Sequence, residues 1–136
     1  MSDLHIIKPD QRDAGTAQTP GMTRAAGVSG PTCGASGVWM GYVTNDPGFT
    51  SGAHHHGDVE SGIYIISGRL TMRWGDRLEH SSEAGPGDFI FVPAQLVHQE
   101  INRSDNETVT SVVARGGSEN IVINVNIPEG DLLRNT

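Results

Sequence analysis

The chain has one cysteine, one lysine and few aromatic residues, and each scarcity closes off a class of protein. With Cys33 alone, no intramolecular disulfide forms and no paired-thiolate zinc site can be built. Cys33 lies in the turn-rich run Gly30, Pro31, Thr32, Cys33, Gly34 with no histidine beside it, which reads as an inert thiol rather than a nucleophile. Apart from Lys8, the scattered basic residues are all arginine, and the formal charge is -7. A nucleic-acid partner needs a basic face, and none is present. No apolar run approaches membrane-spanning length, and the polar N-terminus lacks the apolar stretch of a signal peptide. The expectation is therefore a cytoplasmic protein with no membrane partner. There is no Gly-x-Ser-x-Gly elbow and no phosphate-cradling glycine loop. No helical periodicity persists for three turns.

What remains is turn chemistry and short strands. The 136 residues include 18 Gly and 7 Pro and suit one domain with one core. We divide them into an extended N-terminal arm at 1–20, a β-barrel at 21–127 and a C-terminal tail at 128–136. The arm carries Leu4, Ile6 and Ile7 and suggests a short strand over 4–8. Strands are expected at 22–26, 38–44, 63–66, 69–74, 77–80, 89–92, 98–102, 108–115 and 121–126, with 81–88 read as turn. Many short strands at regular spacing point to an all-β sandwich or barrel. Short barrel strands leave edges that need covering, so a homodimer is expected in which the arm extends a partner's sheet.

The chemistry concentrates in His54, His55, His56, Gly57, Asp58, Val59 and Glu60. Side chains alternate along a strand, so His54 and His56 share one face while His55 points oppositely. Two imidazoles with the carboxylate of Glu60 make most of a divalent-metal site, and His98 is the fourth candidate. The run is too short, and too deeply embedded in strand-like sequence, to be a tag. Three imidazoles and one carboxylate leave about two open positions on a six-coordinate metal and suit Fe, Mn, Ni, Cu or Zn without choosing among them. By parity Glu100 and Asn102 share the face of His98. A second carboxylate there can serve as general base, while Asn102 reads as a turn-securing amide. Tyr64, four residues after Glu60, is the best candidate for a catalytic or pocket-wall aromatic, with Phe89 or Phe91 and Trp39 or Met40 beside it. Should Glu60 face solvent, Asp58 is the next carboxylate in line.

These residues also fall into two ordered motifs. Gly48, five residues, His54-x-His56, three residues and Glu60 lead to a glycine at Gly68. Gly87, five residues, Pro93, then Gln95, His98 and Asn102 follow. The chain thereby resembles the cupins. It departs from them in Gln95, where the family prefers glycine, and in Gly68, one residue late, which implies a bulge after Glu60. The resemblance implies a cupin-type jelly-roll β-barrel and a metal held by His54, His56, Glu60 and His98. It also implies chemistries from dioxygenation to isomerisation, cyclisation and lyase reactions on a small-molecule substrate. Oxygenase is the leading expectation, and a non-catalytic binding or sensory module is the reading from another class.

Overall fold

The computed structural model describes residues 3–16, 18–117 and 121–127, so the tail expected at 128–136 lies outside the described residues. Among the described residues, ten strands build two antiparallel sheets. The first holds β1 (Met22–Val28), β2 (Val38–Asn45), β9 (Val109–Gly116), β4 (Ser61–Ser67) and β7 (Phe89–Val92), side by side in the order β1-β2-β9-β4-β7. The second holds β10 (Ile123–Asn124), β3 (His54–His55), β8 (His98–Ile101), β5 (Leu70–Trp74) and β6 (His80–Ala84), in the order β10-β3-β8-β5-β6. The all-β jelly-roll barrel expected from the sequence is the observed fold.

Alternation explains where the core sits. Along β2, Trp39 and Val43 are buried while Val38, Met40 and Tyr42 are exposed, and along β4, Ser61, Ile63 and Ile65 are buried while Gly62 and Tyr64 are not. The inward rows of the two sheets meet in one cluster that includes Met22, Val43, Ile63, Ile65, Leu70, Val92, Val109 and Val113. Ile65 and Val109 are fully enclosed there, where truncation to alanine typically costs about 2–5 kcal/mol for an isoleucine. One inward position is made by a missing side chain. The Trp39 ring lies so close over Gly41 that a Cβ there would collide with it.

Several local expectations need correction. Residues 4–8 form no strand; the N-terminal segment instead makes isolated bridges from Asp13 to Ala26 and from Thr19 to Met22, leaving Leu4 and Ile6 exposed. The strand placed at 77–80 runs from His80 to Ala84, through residues taken as turn, because Trp74 pairs with His80 and Leu70 with Ala84. It is a polar sheet edge with four exposed residues, so it carries no apolar alternation to announce it. β7 reads as a buried strand, yet it is the edge of the first sheet, and Phe89 and Phe91 point outward. The last strand shrinks to Ile123–Asn124. The short helical turn Gly30–Cys33 starts on a Ser29 side-chain cap and ends at Gly34 in the left-handed region.

Candidate metal centre

The second sheet gathers the histidines. β3 and β8 pair His54 directly opposite His98, and His56 follows two residues after His54 on the same face. All three are at most 4% exposed, and one ring nitrogen from each lies within 4.8 Å of the others. Their orientation is fixed from behind. His54 Nδ1 stands 2.8 Å from the Gly52 carbonyl, His56 Nδ1 2.5 Å from the Ile121 carbonyl and His98 Nδ1 2.9 Å from the Leu96 carbonyl. A carbonyl only accepts, so each Nδ1 carries a hydrogen and points Nε2 away from it; at His56 that Nε2 faces the Arg115 guanidinium, 3.4 Å away. His98 Nε2 is buried without a hydrogen-bond partner. Burial, then the charge of Arg115, pushes the His56 imidazole down to about 3, and burial lowers His98 as well. Three imidazoles backed by carbonyls and gathered at one point are the donor set that a divalent transition metal takes.

His55 points away, as parity requires, and its Nδ1 accepts from the Gly57 amide. His80 is exposed and stacks on Trp74, and His5 is exposed in the arm.

The carboxylates are arranged otherwise than the spacing suggests. Glu60 is exposed and stands outside the histidine cluster, because it precedes β4 on the outward parity. The inward place next to it belongs to Ser61, which is 3% exposed. The late Gly68 is explained in the same way. The β4–β9 register runs evenly from Ser61 to Ile65, then shifts before Ser67, and Gly68 follows with a positive φ of 80°. A Cβ at Gly68 would press on the backbone of Thr108 and Val109. The bulge therefore comes at Ile66, too late to turn Glu60 inward. Tyr64 inherits the same parity, packs on Phe89 at 4.8 Å on the outer face, and does not reach the cluster. Asp58 is exposed and accepts a hydrogen bond from the Gln95 side chain. Gln95 adopts φ 61°, the conformation for which glycine is favoured, and its amide also bonds to Gly57, tying the loop before His98 to the loop after His56.

Glu100 is buried on the inward face of β8, with Oε1 3.9 Å from His98 Nε2. Asn102 is structural. Its amide nitrogen donates to the carbonyls of Asn45, Asp46 and Glu107, and its oxygen accepts from Ser104.

Two buried arginines, Arg24 and Arg115, face Glu100 and were not singled out from the sequence. Arg115 ends the inward row of β9, donates from Nε to Ser61 Oγ at 3.1 Å, and places Nη2 3.4 Å from His56 Nε2. Its guanidinium lies 5.5 Å from the Trp39 ring, the ring that Gly41 makes room for. Burial pushes it down to about 10, which leaves it fully charged at neutral pH. The signal was available: period-two counting back from Val113 and Val109 puts Arg115 and Ser111 on the inner face.

A cavity of about 590 Å³ reaches the cluster at His98; Met72, Trp74, Ile90, Val92 and Leu96 line it, together with Ser82, Glu83 and Asp88. Trp74, partly buried against the core, is one of its wall residues. Trp39 lies in the core instead, and Met40 faces outward.

A two-sheet jelly roll with converging imidazoles on its inner wall defines a class of β-barrels suited to hold a metal. The family model described as Cupin domain matches residues 41–114, and the chain belongs to that family. No curated protein matches it. Among solved structures, it is similar to the polyketide cyclase RemF from Streptomyces resistomycificus, with a TM-score of 0.67 and 21% identity over 95% of this chain and 88% of that one. KdgF from Halomonas sp. gives a TM-score of 0.67 at 14% identity, covering 84% of this chain and 94% of that one. An oxalate oxidase gives a TM-score of 0.65 at 20% identity over 81% of this chain, which spans 59% of the oxidase chain. At such identities the likeness is one of fold. Among the described residues, no helix is long and apolar enough to cross a membrane.

Proposed function

We propose that this chain is a metal-dependent enzyme that transforms a small organic molecule at a mononuclear site held by His54, His56 and His98. The observation that carries the reading is the set of three Nδ1–carbonyl hydrogen bonds on rings that each bring one nitrogen within 4.8 Å of the others, beside a cavity of about 590 Å³. Fe, Mn, Ni, Cu or Zn suits this donor set. Such an ion, when bound, would act as a Lewis acid or a redox centre with open positions.

The chain's own residues do the rest. The apolar part of the cavity wall orients the substrate body, and the carbonyl-backed imidazoles stay fixed while it binds. Glu100 stands at the inner end, where a carboxylate can take or return a proton at a bound substrate. With iron, dioxygenation is the leading chemistry. The buried position of Glu100 is the one observation that favours the second reading, a proton-transferring isomerase, cyclase or lyase. A cytoplasmic homodimer completes the proposal, supported by apolar side chains exposed on the arm (Leu4, Ile6) and on the outer sheet face (Tyr64, Phe89, Phe91).

The test is reconstitution with Fe(II), Mn(II), Ni(II), Cu(II) and Zn(II) against a panel of small acids, phenols and enols. Dioxygen uptake would be followed beside solvent-deuterium incorporation. Uptake confined to the iron form supports the oxygenase, whereas deuterium exchange lost in Glu100→Gln supports the second reading. No turnover with any metal would favour a non-catalytic binding module.

A further inference from the structure

The cavity that reaches His98 has two unlike ends. At one, His98 is 1% exposed and its Nε2 has no hydrogen-bond partner. At the other, the ionised groups are Glu83, paired with Arg69 at 2.7 Å, and Asp88, which accepts from the Gly85 amide. No lysine or arginine is among the lining residues. Met72, Trp74, Ile90, Val92 and Leu96 make the wall between.

The strand register measures the distance from end to end. Trp74 pairs with His98 across β5 and β8, and Thr71 pairs with Glu83 across β5 and β6. Three steps along β5 separate the two levels, about 10 Å at the usual rise of a strand. The first sheet gives a similar figure. Val92 pairs with Ser61, whose hydroxyl meets Arg115 beside His56, and Asp88 lies four steps before Val92, about 13 Å away.

The wall is aromatic as well as apolar. Of the chain's two Trp, two Tyr and three Phe, three border this cavity: Trp74, with Phe89 and Phe91 from the sheet edge β7. Trp74 is backed by His80, stacked on it at 5.6 Å and 28°. Such a wall gains most from a flat ring laid against it. At the Glu83 and Asp88 end an anion would meet like charge and lose hydration. A neutral hydroxyl there finds carboxylate oxygens to donate to.

We propose that the substrate is a neutral hydroxyaromatic molecule about two rings long. One hydroxyl lies at His98, the rings lie between β5 and β7, and an uncharged donor rather than an acid group reaches Glu83 and Asp88. This rests on the metal reading above, because the hydroxyl at His98 is the group that a bound metal would polarise.

The probe is a naphthalenediol with its hydroxyls at opposite ends. Its counterpart is the hydroxynaphthalenesulfonate in which one hydroxyl is replaced by a permanently anionic group. Calorimetric titrations on the full chain measure both ligands with and without Zn(II), and Zn(II) alone. The diol should bind the Zn(II)-loaded protein at least tenfold more tightly than the sulfonate. Joint replacement Glu83→Gln and Asp88→Asn, which keeps an acceptor oxygen at each place, should shrink that preference at least threefold. Ile90→Trp fills the ring space, so it should lose at least tenfold in diol affinity while Zn(II) affinity stays unchanged. If Zn(II) binds but the diol does not, or the sulfonate or Ile90→Trp binds as tightly as the diol and wild type pair, the substrate class is wrong and the metal reading stands. If the diol binds with its preference to a protein that takes no Zn(II), the cavity assignment stands and the metal reading falls. Binding of neither overturns both.

Discussion

Acid should destabilise the metal-free protein well before its carboxylates titrate. His56 is 3% exposed, and burial followed by the charge of Arg115 holds its imidazole at about 3 in the folded chain, against 6.5 when unfolded. Between those values the unfolded chain binds a proton that the folded chain refuses. Stability therefore rises with pH across this window and is lost as the pH falls through it. From pH 7 to pH 5 the loss from His56 alone is roughly 2 kcal/mol, at about 1.4 kcal/mol per pKa unit. His98, lowered chiefly by burial, adds in the same direction. A domain of this size has a total stability of about 5–15 kcal/mol, so the loss is a large share. Urea unfolding in the presence of a chelator, followed by tryptophan fluorescence, reads it. With a slope of about 2 kcal/mol per molar, the midpoint should fall by about 1 M between pH 7 and pH 5. His56→Gln is neutral in both states and should flatten that dependence by the same amount. A wild-type midpoint that is constant over this range, or a variant as pH-sensitive as wild type, would refute a buried, neutral His56.

Other perturbations separate the faces of the barrel. Glu60→Gln should leave stability within about 0.5 kcal/mol of wild type and metal affinity unchanged, because the side chain is exposed and outside the cluster; weakened metal titration would return Glu60 to the site. Gly41→Ala should cost about 1–3 kcal/mol in urea unfolding, since its methyl would collide with the Trp39 ring, and a neutral result would mean that the ring moves freely. Deleting residues 1–8 should weaken dimerisation in sedimentation, and an unchanged dimer would remove the arm from the interface.

Most of the barrel was legible because its inward rows alternate. His54, His56 and His98 obey a period of two that survives into the structure. The misreadings share one physical root. In a strand a one-residue shift exchanges the faces, and Glu60 falls on the outward parity while Ser61 takes the inward place. Tyr64 followed the same error, four residues on. β6 escaped because its residues His80, Ser81, Ser82 and Glu83 are exposed at a sheet edge, with no apolar partner row to write a pattern. Arg24 and Arg115 were passed over because arginine is assigned to the surface by default, although their neighbours place both on inner faces. Glu100 was read correctly as inward because it was counted from His98 rather than from the earlier motif.

The most direct measurement is the metal content of the protein, by elemental analysis after saturation with one divalent metal and desalting. The account predicts one equivalent in wild type, one in His55→Ala, whose ring points away, and essentially none in His56→Ala. Equal occupancy in the two variants, whether full or lost, would contradict the assignment of His54, His56 and His98 as the metal-holding face.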